Sequence, residues 1–492
     1  MPSKTIPVID VFAGPGGLGE GFSSCLDLKG RAVFHLAASI EKDRVAHGTL
    51  LTRKVFRRLR TNQTSRFAEL LRSNDPLAAI GDAFPSELKA ASAEAHQLEL
   101  GKSSVGAVRG IVRSALRGHD SWVLIGGPPC QAYSLVGRAR NRGVSGYHMD
   151  RDHRQVLYVE YLQLLGDHAP DVFVMENVKG LLSARRSGER LFERIMEDLA
   201  NPAAALKREH RQGLAKPRYS VQSLVTRDAS CPADFIVHSE RYGIPQKRHR
   251  VILLGVKEGF SASTRPLLQP QERLRTVLEA ISDLPELRSG ISDVADSGDA
   301  WSGAIKRLVN ATWLKNVDNK VRAQIKDALG RSQTIAKRGR GSDWDQDRAG
   351  KLLLNHATRS HMTSDLHRYL FASAFAKAFD ASPLLQDFPS ALLPKHESVA
   401  RGHFTDRFCV QLEGHPSRTI TSHISKDGNY YIHHEPGQCR SLTVREAARL
   451  QTFPDDYFFT GPRTEQYHQV GNAVPPELAK QIANVVTCLL GA

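Results

Sequence analysis

Short apolar runs recur along the first half of the chain, and polar or charged stretches separate them. The runs are four to seven residues long and rich in β-branched and aromatic residues, which is typical of strands buried in a sheet. They are Val8–Phe12, Phe34–Ile40, Trp122–Ile125, Val172–Met175 and Val251–Leu254. Helical patterns lie between them, as at Gln155–Leu165. The alternation predicts an α/β fold with a parallel sheet and helices on both faces.

The pattern changes at several places, and these changes predict the domain organisation. Residues 54–117 are charged and helical in pattern, and we expect an insertion outside the sheet. Polar helical segments dominate residues 256–415, which predicts a second domain after a first domain at 1–255. Residues 416–492 end in an amphipathic helix at Pro476–Leu490, since proline favours the first turn of a helix.

The net charge narrows the choice of partner. Lys and Arg total 67 against 52 Asp and Glu, so the formal charge is +15 and the pI is near 9.6. A surplus of this size often marks a protein that binds a polyanion, and nucleic acid is the favoured partner. Three clusters rich in basic residues contribute to the surplus: Arg53–Arg60, Arg138–Arg142 and Lys337–Arg340.

Other compositional features argue against whole classes of protein. The sequence has no run of 18 or more apolar residues, and its N-terminus lacks the apolar core of a signal peptide. The six cysteines are scattered without a C-x-x-C pair, which argues against a disulfide framework or a zinc finger. We therefore expect a cytoplasmic protein without a membrane span, because scattered cysteines suit a reducing compartment.

A glycine-rich turn follows the first predicted strand. Gly14, Gly16 and Gly19 fit the pattern G-x-G-x-x-G, and Glu41 stands 22 residues after Gly19, at the end of the second strand. Glycines let a ligand approach the backbone at a strand-to-helix turn, and an acidic side chain there can bind the hydroxyl groups of a ribose. Both a nicotinamide oxidoreductase and an enzyme that uses S-adenosyl-L-methionine (AdoMet) fit this pattern, so the turn alone leaves both open.

A single thiol follows the third predicted strand. The segment Gly126–Ser134 reads GGPPCQAYS, in which glycines permit a sharp turn and prolines stiffen the chain. Cys130 is thereby presented at a fixed place. The next strand leads directly into Glu176, and the carboxyl ends of parallel strands meet at one edge of a sheet. We expect Cys130, Glu176 and Glu41 to lie around one crevice.

A basic segment, QKRHR, precedes the last predicted strand. Alternate residues of an extended chain point the same way, so Gln246, Arg248 and Arg250 are expected to share a face. Two guanidinium groups that face one pocket favour an acidic or polar occupant and would help to hold a thiol as the thiolate.

These residues belong to an ordered set of motifs that resembles the DNA cytosine-5 methyltransferases almost from end to end. The motifs are DVFAGPGGLGEGF at Asp10–Phe22, GGPPCQAYSLVGR at Gly126–Arg138, D-x-R-x-x-L at Asp152–Leu157, ENV at Glu176–Val178, QKRHR at Gln246–Arg250, RSLTVREAARLQTFPDDY at Arg440–Tyr457 and QVGNAVPP at Gln469–Pro476. The related RNA enzymes usually carry Cys-Phe-Thr before the final motifs. This chain has Phe408-Cys-Val410 there, so the resemblance favours duplex DNA as the substrate.

The resemblance implies a fold, an activity and partners. The fold would be a Rossmann-like AdoMet-dependent methyltransferase domain with a smaller, variable target recognition domain at 256–415. The enzyme would methylate carbon 5 of a cytosine flipped out of double-stranded DNA, release S-adenosyl-L-homocysteine and need no metal. It would act as a monomer, alone or beside a restriction endonuclease. Residues 416–492 would return to the catalytic domain at 1–255, and Arg445 and Glu446 would stabilise the domain junction.

The resemblance also implies roles for individual residues. Cys130 would add to carbon 6 of the cytosine, and Glu176 would act on ring nitrogen 3. Arg250 would hold the carbonyl oxygen, and Arg248 would support Glu176 or the same oxygen. The cofactor would contact Phe12, Gly14, Pro15, Gly17, Glu41, Pro129 and Asn472. A loop that closes over the flipped base would contact DNA through Gln131, Ser134, Arg138 and Arg140.

Overall fold

The computed structural model describes residues 5–128, 156–186, 189–207, 217–260, 266–338, 353–394, 405–426 and 428–491. In these ranges the strands are β1 (Ile6–Val11), β2 (Phe34–Glu41), β3 (Ala95–Gln97), β4 (Val123–Gly126), β5 (Val172–Val178), β6 (Arg185–Arg186), β7 (Glu189–Arg190), β8 (Tyr219–Gln222), β9 (Ile236–His238), β10 (Gln246–Lys247), β11 (His249–Lys257), β12 (Gly290–Ile291), β13 (Ser360–His361) and β14 (Ser417–Arg418).

The α-helices of the first half are α1 (Gly17–Ser23), α2 (Arg44–Phe56), α3 (Thr64–Leu70), α4 (Pro76–Ala83), α5 (Pro85–Ser92), α6 (Val105–Ala115), α7 (Val156–His168), α8 (Leu191–Ala200) and α9 (Pro202–Lys207). Those of the second half are α10 (Val277–Ile281), α11 (Gly298–Lys306), α12 (Asn319–Arg338), α13 (Thr363–Phe379), α14 (Val444–Leu450), α15 (Arg463–Asn472) and α16 (Pro476–Leu490). The predicted C-terminal helix has the observed bounds of α16.

A central sheet of eight strands has the order β3-β2-β1-β4-β5-β11-β8, and β9 also pairs with β11. The first five strands of that order are parallel. All five apolar runs found in the sequence correspond to strands of this sheet. One face buries its apolar side chains against α6, α7 and α8 in a single cluster. The predicted α/β fold, with a mainly parallel sheet flanked by helices, is confirmed.

The direction of β11 differs from the prediction of a parallel sheet. This strand runs antiparallel to β5, β8 and β9. An antiparallel strand begins at the edge where its parallel neighbours end. Its second residue, Arg250, therefore pairs with Val178, the last residue of β5. The reversal brings the basic segment to the edge that carries the glycine turn.

The region 54–117 is not wholly an insertion outside the sheet, as the sequence pattern predicted. Residues Ala95–Gln97 form β3, which pairs in parallel with the end of β2. Helix α6 buries Val108 and Val112 in the apolar cluster under the sheet. The additional helices between α2 and β3 are α3, α4 and α5, which follow a 3₁₀ turn at Thr61–Gln63. The segment thus completes one edge of the sheet.

The basic cluster Arg53–Arg60 also differs from expectation, because several of its charges are paired internally. Arg53 and Arg57 both form ion pairs with the buried carboxylate of Glu20, at 2.6 and 2.9 Å. Lys54 and Arg58 contact Glu94 at 3.4 and 2.5 Å. These four contacts hold the C-terminal end of α2 and the residues just after it. Because the four charges are paired within the protein, this cluster gives no support to a polyanion partner.

Two compact units divide the chain. Unit 1 comprises residues 1–243, 248–272 and 473–492, and unit 2 comprises residues 244–247 and 273–472. The predicted boundary at 255 falls inside β11, because residues 256 and 257 still pair with β8. Most of the predicted segment 416–492 belongs to unit 2. No helix in the described ranges is long and apolar enough to span a membrane.

Unit 2 has an apolar core of its own, around Trp301, Ile325 and Tyr369 of helices α11, α12 and α13. A buried polar network adjoins this core. Arg440 donates two hydrogen bonds of 2.7 Å to the carboxylate of Glu446, and both side chains are 1% exposed. Glu446 also accepts the Thr443 N–H at the start of α14. Arg445 donates to the carbonyls of residues 354, 454 and 457.

Candidate active site

The glycine turn joins β1 to α1 with an unusual backbone. Phe12 has a φ of 55°, Gly14 of 56° and Gly16 of 93°. A bulky residue rarely adopts a positive φ, because this conformation costs about 1–3 kcal/mol and persists only where the surroundings hold it. A Cβ atom added at Gly14 would meet nothing within 4 Å. The turn is therefore strained, and it has open space beside the backbone of Gly14.

Other glycines of the motif serve packing. A Cβ atom at Gly17 would lie 2.2 Å from the carbonyl oxygen of Val474, and one at Gly21 would lie 2.4 Å from Ala479. A Cβ atom at Gly19 would lie 2.7 Å from Leu36, which belongs to β2. Helix α1 thus packs directly on the sheet and on the segment that begins α16. Pro15 is buried between the two glycines of positive φ.

Glu41 ends β2 beside the glycine turn. One carboxylate oxygen accepts the Gly14 N–H at 2.8 Å, and the other accepts the Asp43 N–H at 2.8 Å. Each carboxylate oxygen has a second lone-pair direction, so Glu41 can still accept hydrogen bonds from hydroxyl groups of a ligand. The predicted juxtaposition of the acidic residue and the glycine turn is present in the structure.

Asp10, which is not among the predicted site residues, lies beneath this turn in β1. Its side chain is 1% exposed, and neither carboxyl oxygen has a hydrogen-bond partner of normal geometry among the described residues. Burial raises the pKa of Asp10 from 3.8 to about 8, while Lys54 and the Gly19 N–H oppose the shift. The available signal was an acidic residue in the middle of an otherwise apolar strand.

The segment that leads to the thiol passes very close to its neighbouring strands. A Cβ atom at Gly126 would lie 2.5 Å from the Val11 carbonyl oxygen. A Cβ atom at Gly127 would lie 2.9 Å from Oε2 of Glu176. A side chain at Gly126 would collide with the backbone of β1, and one at Gly127 would displace the carboxyl group of Glu176, which accounts for the paired glycines before the prolines. Pro129, Cys130, Gln131, Ser134, Arg138 and Arg140 lie outside the described residues.

Asn177 fixes the last described residue before the thiol. Its side-chain NH₂ group donates to the carbonyl oxygen of Pro128 at 3.3 Å, and its side-chain oxygen Oδ1 accepts the Val178 N–H at 2.9 Å. Asn177 is buried, so both contacts are shielded from water. Asn177, the residue after Glu176, thus connects the turn after β4 to the end of β5 through a hydrogen bond.

Glu176 and Arg250 form an ion pair at the same edge. Arg250 Nε lies 2.9 Å from Glu176 Oε1, and each side chain is about one seventh exposed, at 14% and 15%. Arg250 also donates to the carbonyl oxygen of His249 at 2.9 Å. Burial lowers the pKa of the Arg250 guanidinium, and the carboxylate of Glu176 opposes that shift. The structure brings these two predicted residues together.

The predicted common face of Gln246, Arg248 and Arg250 is not a single strand face, because Arg248 lies between the two-residue strand β10 and the longer strand β11. Gln246 in β10 is bonded inside unit 2, where it accepts the Ile420 N–H and donates to the Leu450 carbonyl. Arg248 is buried, and its backbone N–H donates to Ser239 Oγ at 2.9 Å. The role of Arg248 remains a prediction.

Asn472, the predicted cofactor residue near the end of the chain, closes helix α15. Its side chain is exposed, and its amide nitrogen lies 3.3 Å from His468 Nδ1. Asn472 is the last residue of unit 2, and the chain re-enters unit 1 at Ala473. A contact between Asn472 and a cofactor remains a prediction.

A mainly parallel sheet with a glycine turn, an acidic residue at the end of the second strand and an ion pair at one edge is consistent with a Rossmann-like methyltransferase. The family model described as C-5 cytosine-specific DNA methylase matches residues 83–202 and 233–488, and the chain belongs to this family. Membership in this family decides between the two enzyme classes that the glycine turn left open. The enzyme is a DNA cytosine-5 methyltransferase and not a nicotinamide oxidoreductase.

Individual relatives agree with this assignment. The chain is 31% identical over 506 aligned residues to the Type II methyltransferase M.Bpa9945I of Bacillus paralicheniformis, which covers 97% of this chain and 98% of that protein. It is 24% identical to M.DdeI of Desulfomicrobium norvegicum, covering 98% and 88%. A solved structure of a prophage-encoded DNA modification methyltransferase from E. coli matches with a TM-score of 0.53 at 18% identity, covering 99% and 100%. That match shows a common fold.

Proposed function

We propose that the enzyme transfers a methyl group from AdoMet to carbon 5 of a cytosine at a specific sequence in duplex DNA, through a covalent bond to Cys130. The observation that carries the proposal is the meeting of three features at one sheet edge. These are the turn at Gly14 with Glu41, the segment Gly127–Pro128 that leads to the thiol, and the Glu176–Arg250 ion pair.

The residues around the glycine turn fit AdoMet. Glu41 retains acceptor capacity for the ribose hydroxyl groups, and the open space beside Gly14 lets a ligand approach the backbone. Phe12 and Pro15 border the same turn, and we assign them, with Gly17, Pro129 and Asn472, to the cofactor site. When bound, AdoMet supplies the electrophilic methyl group.

The protein's own residues prepare the cytosine. The Cys130 thiolate forms a bond to carbon 6, which makes carbon 5 nucleophilic enough to accept the methyl group. In its protonated form Glu176 donates a hydrogen bond or its proton to ring nitrogen 3 and draws electrons from carbon 6, while its other oxygen accepts from Arg250 Nε. Loss of the proton from carbon 5 to a base, with departure of the thiolate from carbon 6, then restores the ring.

Arg250 is assigned a double role. Its Nε holds one oxygen of Glu176, while the other oxygen faces Gly127. This arrangement orients the carboxyl group toward the segment that carries the thiol. Of the guanidinium's remaining N–H groups, those not bonded to the His249 carbonyl can donate to the carbonyl oxygen of the cytosine. Arg248 is assigned to the same region as a supporting residue.

Target DNA is assigned to two parts of the chain. A cytosine inside a duplex must be flipped out before a thiol can reach carbon 6. We assign phosphate contacts and closure over the base to the loop with Gln131, Ser134, Arg138 and Arg140. Sequence readout is assigned to residues 256–415. The Type II relatives support a place in a restriction-modification system.

The activity is tested with purified enzyme, plasmid DNA and AdoMet labelled in the methyl group. We expect label in DNA, and bisulfite sequencing should show 5-methylcytosine at one recurring sequence. Cys130→Ser should abolish transfer while AdoMet binding persists, and Cys231→Ser is the matched control because Cys231 is exposed. Label in RNA only, or full activity of Cys130→Ser, contradicts the proposal.

The DNA contacts are tested by salt dependence. Each phosphate contact adds about 0.9 to the slope of log affinity against log salt. Replacement of Arg138, Arg140 and Arg142 by alanine should flatten that slope and weaken all DNA sequences about equally. A variant that keeps the slope but methylates a new site would show that the loop reads bases.

A further inference from the structure

Three side chains with metal-binding atoms lie close together at the beginning of β11, beside Arg250. His238 ends β9, His249 begins β11, and the two residues are direct partners in this antiparallel pair. Directly opposed residues in such a pair project from the same face. Glu240 follows two residues after His238, in the 3₁₀ turn Ser239–Tyr242. All three belong to unit 1.

The distances within this cluster are short. His249 Nε2 lies 2.9 Å from Oε1 of Glu240, and His238 Nδ1 lies 3.9 Å from the same oxygen. The two imidazole ring centroids are 4.1 Å apart. One ligand atom from each of the three residues lies within 4.8 Å of the other two, and all three residues are half-buried. Ligand atoms around a tetrahedral zinc ion are about 3.3 Å apart, from bond lengths near 2.0 Å.

A simple hydrogen-bonded pair does not account for the whole arrangement. The His249–Glu240 contact uses one carboxylate oxygen, whereas Glu240 Oε2 is buried without a hydrogen-bond partner among the described residues. The ring of His238 also approaches this pair, with its Nδ1 3.9 Å from Oε1 of Glu240. By comparison, His415 and Asp380 make a two-residue contact of 2.7 Å on the surface, to which the described structure adds no third ligand.

We propose that His238, Glu240 and His249 form a site for a borderline divalent transition-metal ion of the Zn²⁺ type. Two imidazole nitrogens and one carboxylate are a ligand set that such ions favour, with water in the fourth position. The site is separate from the methyl-transfer chemistry assigned to Cys130 and Glu176. Lys179 and Arg241 contribute positive charge near His238, so the affinity should be moderate.

An ion at this position would act on the backbone beside the catalytic residues. His249 and Arg250 are adjacent, and the Arg250 side chain donates to the His249 carbonyl at 2.9 Å. Because one ion would bind His249 together with His238 of β9 and Glu240 of the following turn, it would hold the beginning of β11 rigid. The bound ion is therefore assigned a structural role, as a positioning group for the Arg250 guanidinium.

The experiment uses the full-length protein after treatment with a chelator and exchange into reducing buffer. Co²⁺ titration is followed by visible absorption, and Zn²⁺ affinity is measured by competition with a chromophoric chelator. The wild-type protein should bind one ion in a site of nitrogen and oxygen ligands. His238→Gln, Glu240→Gln and His249→Gln should each weaken binding by more than the roughly 10–100-fold typical of losing an outer-shell partner.

The His415→Gln variant is the control, because it removes a histidine from a histidine–carboxylate pair elsewhere. It should bind the ion as the wild type does. Without metal, each of the three variants should unfold at the same temperature as the metal-free wild type, so that a change in affinity reports the loss of a ligand and not of the fold. Equal affinity in wild type and the three site variants overturns the proposal, as does a sulfur-to-cobalt charge-transfer band, which places the ion on a thiol.

Discussion

The side-chain amide of Asn177 donates a hydrogen bond to the carbonyl oxygen of Pro128, across the ends of two neighbouring strands. Asn177 directly follows Glu176, and Pro128 stands two residues before Cys130. One residue therefore links the position of the proposed acid to that of the proposed nucleophile. Glu176 and Cys130 are far apart in the sequence, but the same hydrogen bond of Asn177 restrains the backbone near both.

Asn177→Ala should reduce the rate of methyl transfer far more than it reduces binding of AdoMet. The substitution removes the donor to Pro128 and frees the segment that carries the thiol. A misplacement of about 1 Å at a reacting group lowers a rate by roughly 100-fold. Single-turnover kinetics and cofactor titration measure the two effects. Asn201→Ala, which removes a contact at the start of α9, is the control. An unchanged single-turnover rate refutes the coupling.

Gly127→Ala should impair catalysis by crowding Glu176. The added Cβ atom would lie 2.9 Å from Glu176 Oε2, so either the carboxyl group or the backbone must shift. Overpacking of this kind costs typically about 1–3 kcal/mol of stability. We expect a lower rate of methyl transfer together with a lower melting temperature. Gly110→Ala in α6 is the control, since its Cβ atom meets nothing within 4 Å. Wild-type kinetics in Gly127→Ala would contradict the close packing.

Asp10→Asn should change how stability depends on pH. The unfolded chain loses the Asp10 proton near pH 3.8, whereas the folded protein retains it to about pH 8. Between these values the folded state binds more protons, so the free energy of unfolding falls as pH rises, by at most about 1.4 kcal/mol per pH unit. Asparagine cannot ionise and should remove this fall.

Urea unfolding between pH 5 and pH 9 measures the effect. The variant should gain stability relative to the wild type as pH increases through this range. Burial has the largest effect on the pKa of Asp10, and the charged and polar groups that also act on it are Lys54, Glu41 and the Gly19 N–H. Asp120→Asn, at an exposed aspartate, should leave the wild-type dependence in place. Parallel curves for wild type and Asp10→Asn would exclude the assigned ionisation.

Glu446→Gln should destabilise the protein strongly. Glu446 and Arg440 are each 1% exposed and are joined by two hydrogen bonds of 2.7 Å. Removal of one partner leaves a buried charge without compensation, which costs about 3–5 kcal/mol. Chemical denaturation measures the loss. Glu99→Gln, in an exposed pair with Lys42, should have little effect. If both variants unfold alike, the buried pair does not support unit 2 as described.

Local pattern was sufficient to predict most of the sheet, because its central strands are buried on both faces and read as apolar runs. Strand β3 was missed because Ala-His-Gln is short and not apolar, and pairing with β2 stabilises it at the sheet edge. The local sequence pattern also could not predict the direction of β11, because an apolar run looks the same in a parallel and in an antiparallel strand. Strand direction depends on the connection between strands.

Motif order predicted Glu176 and Arg250 as site residues, but it could not establish which groups pair. The ion pair of Arg250 with Glu176 depends on the antiparallel register, which the sequence does not contain as a local signal. The charges at Arg53 and Arg57 look like a surface cluster along the chain. They pair with Glu20, more than 30 positions away, so only the tertiary fold reveals their neutralisation.

The close packing of α1 against the start of α16 has a consequence for the substitutions that unit 1 can tolerate. A Cβ atom at Gly17 would lie 2.2 Å from the carbonyl oxygen of Val474, and one at Gly21 would lie 2.4 Å from Ala479. A side chain added at either glycine therefore has to move α16, and a larger side chain at Ala479 has to move α1. The two helices can change in sequence only together, although they lie far apart along the chain.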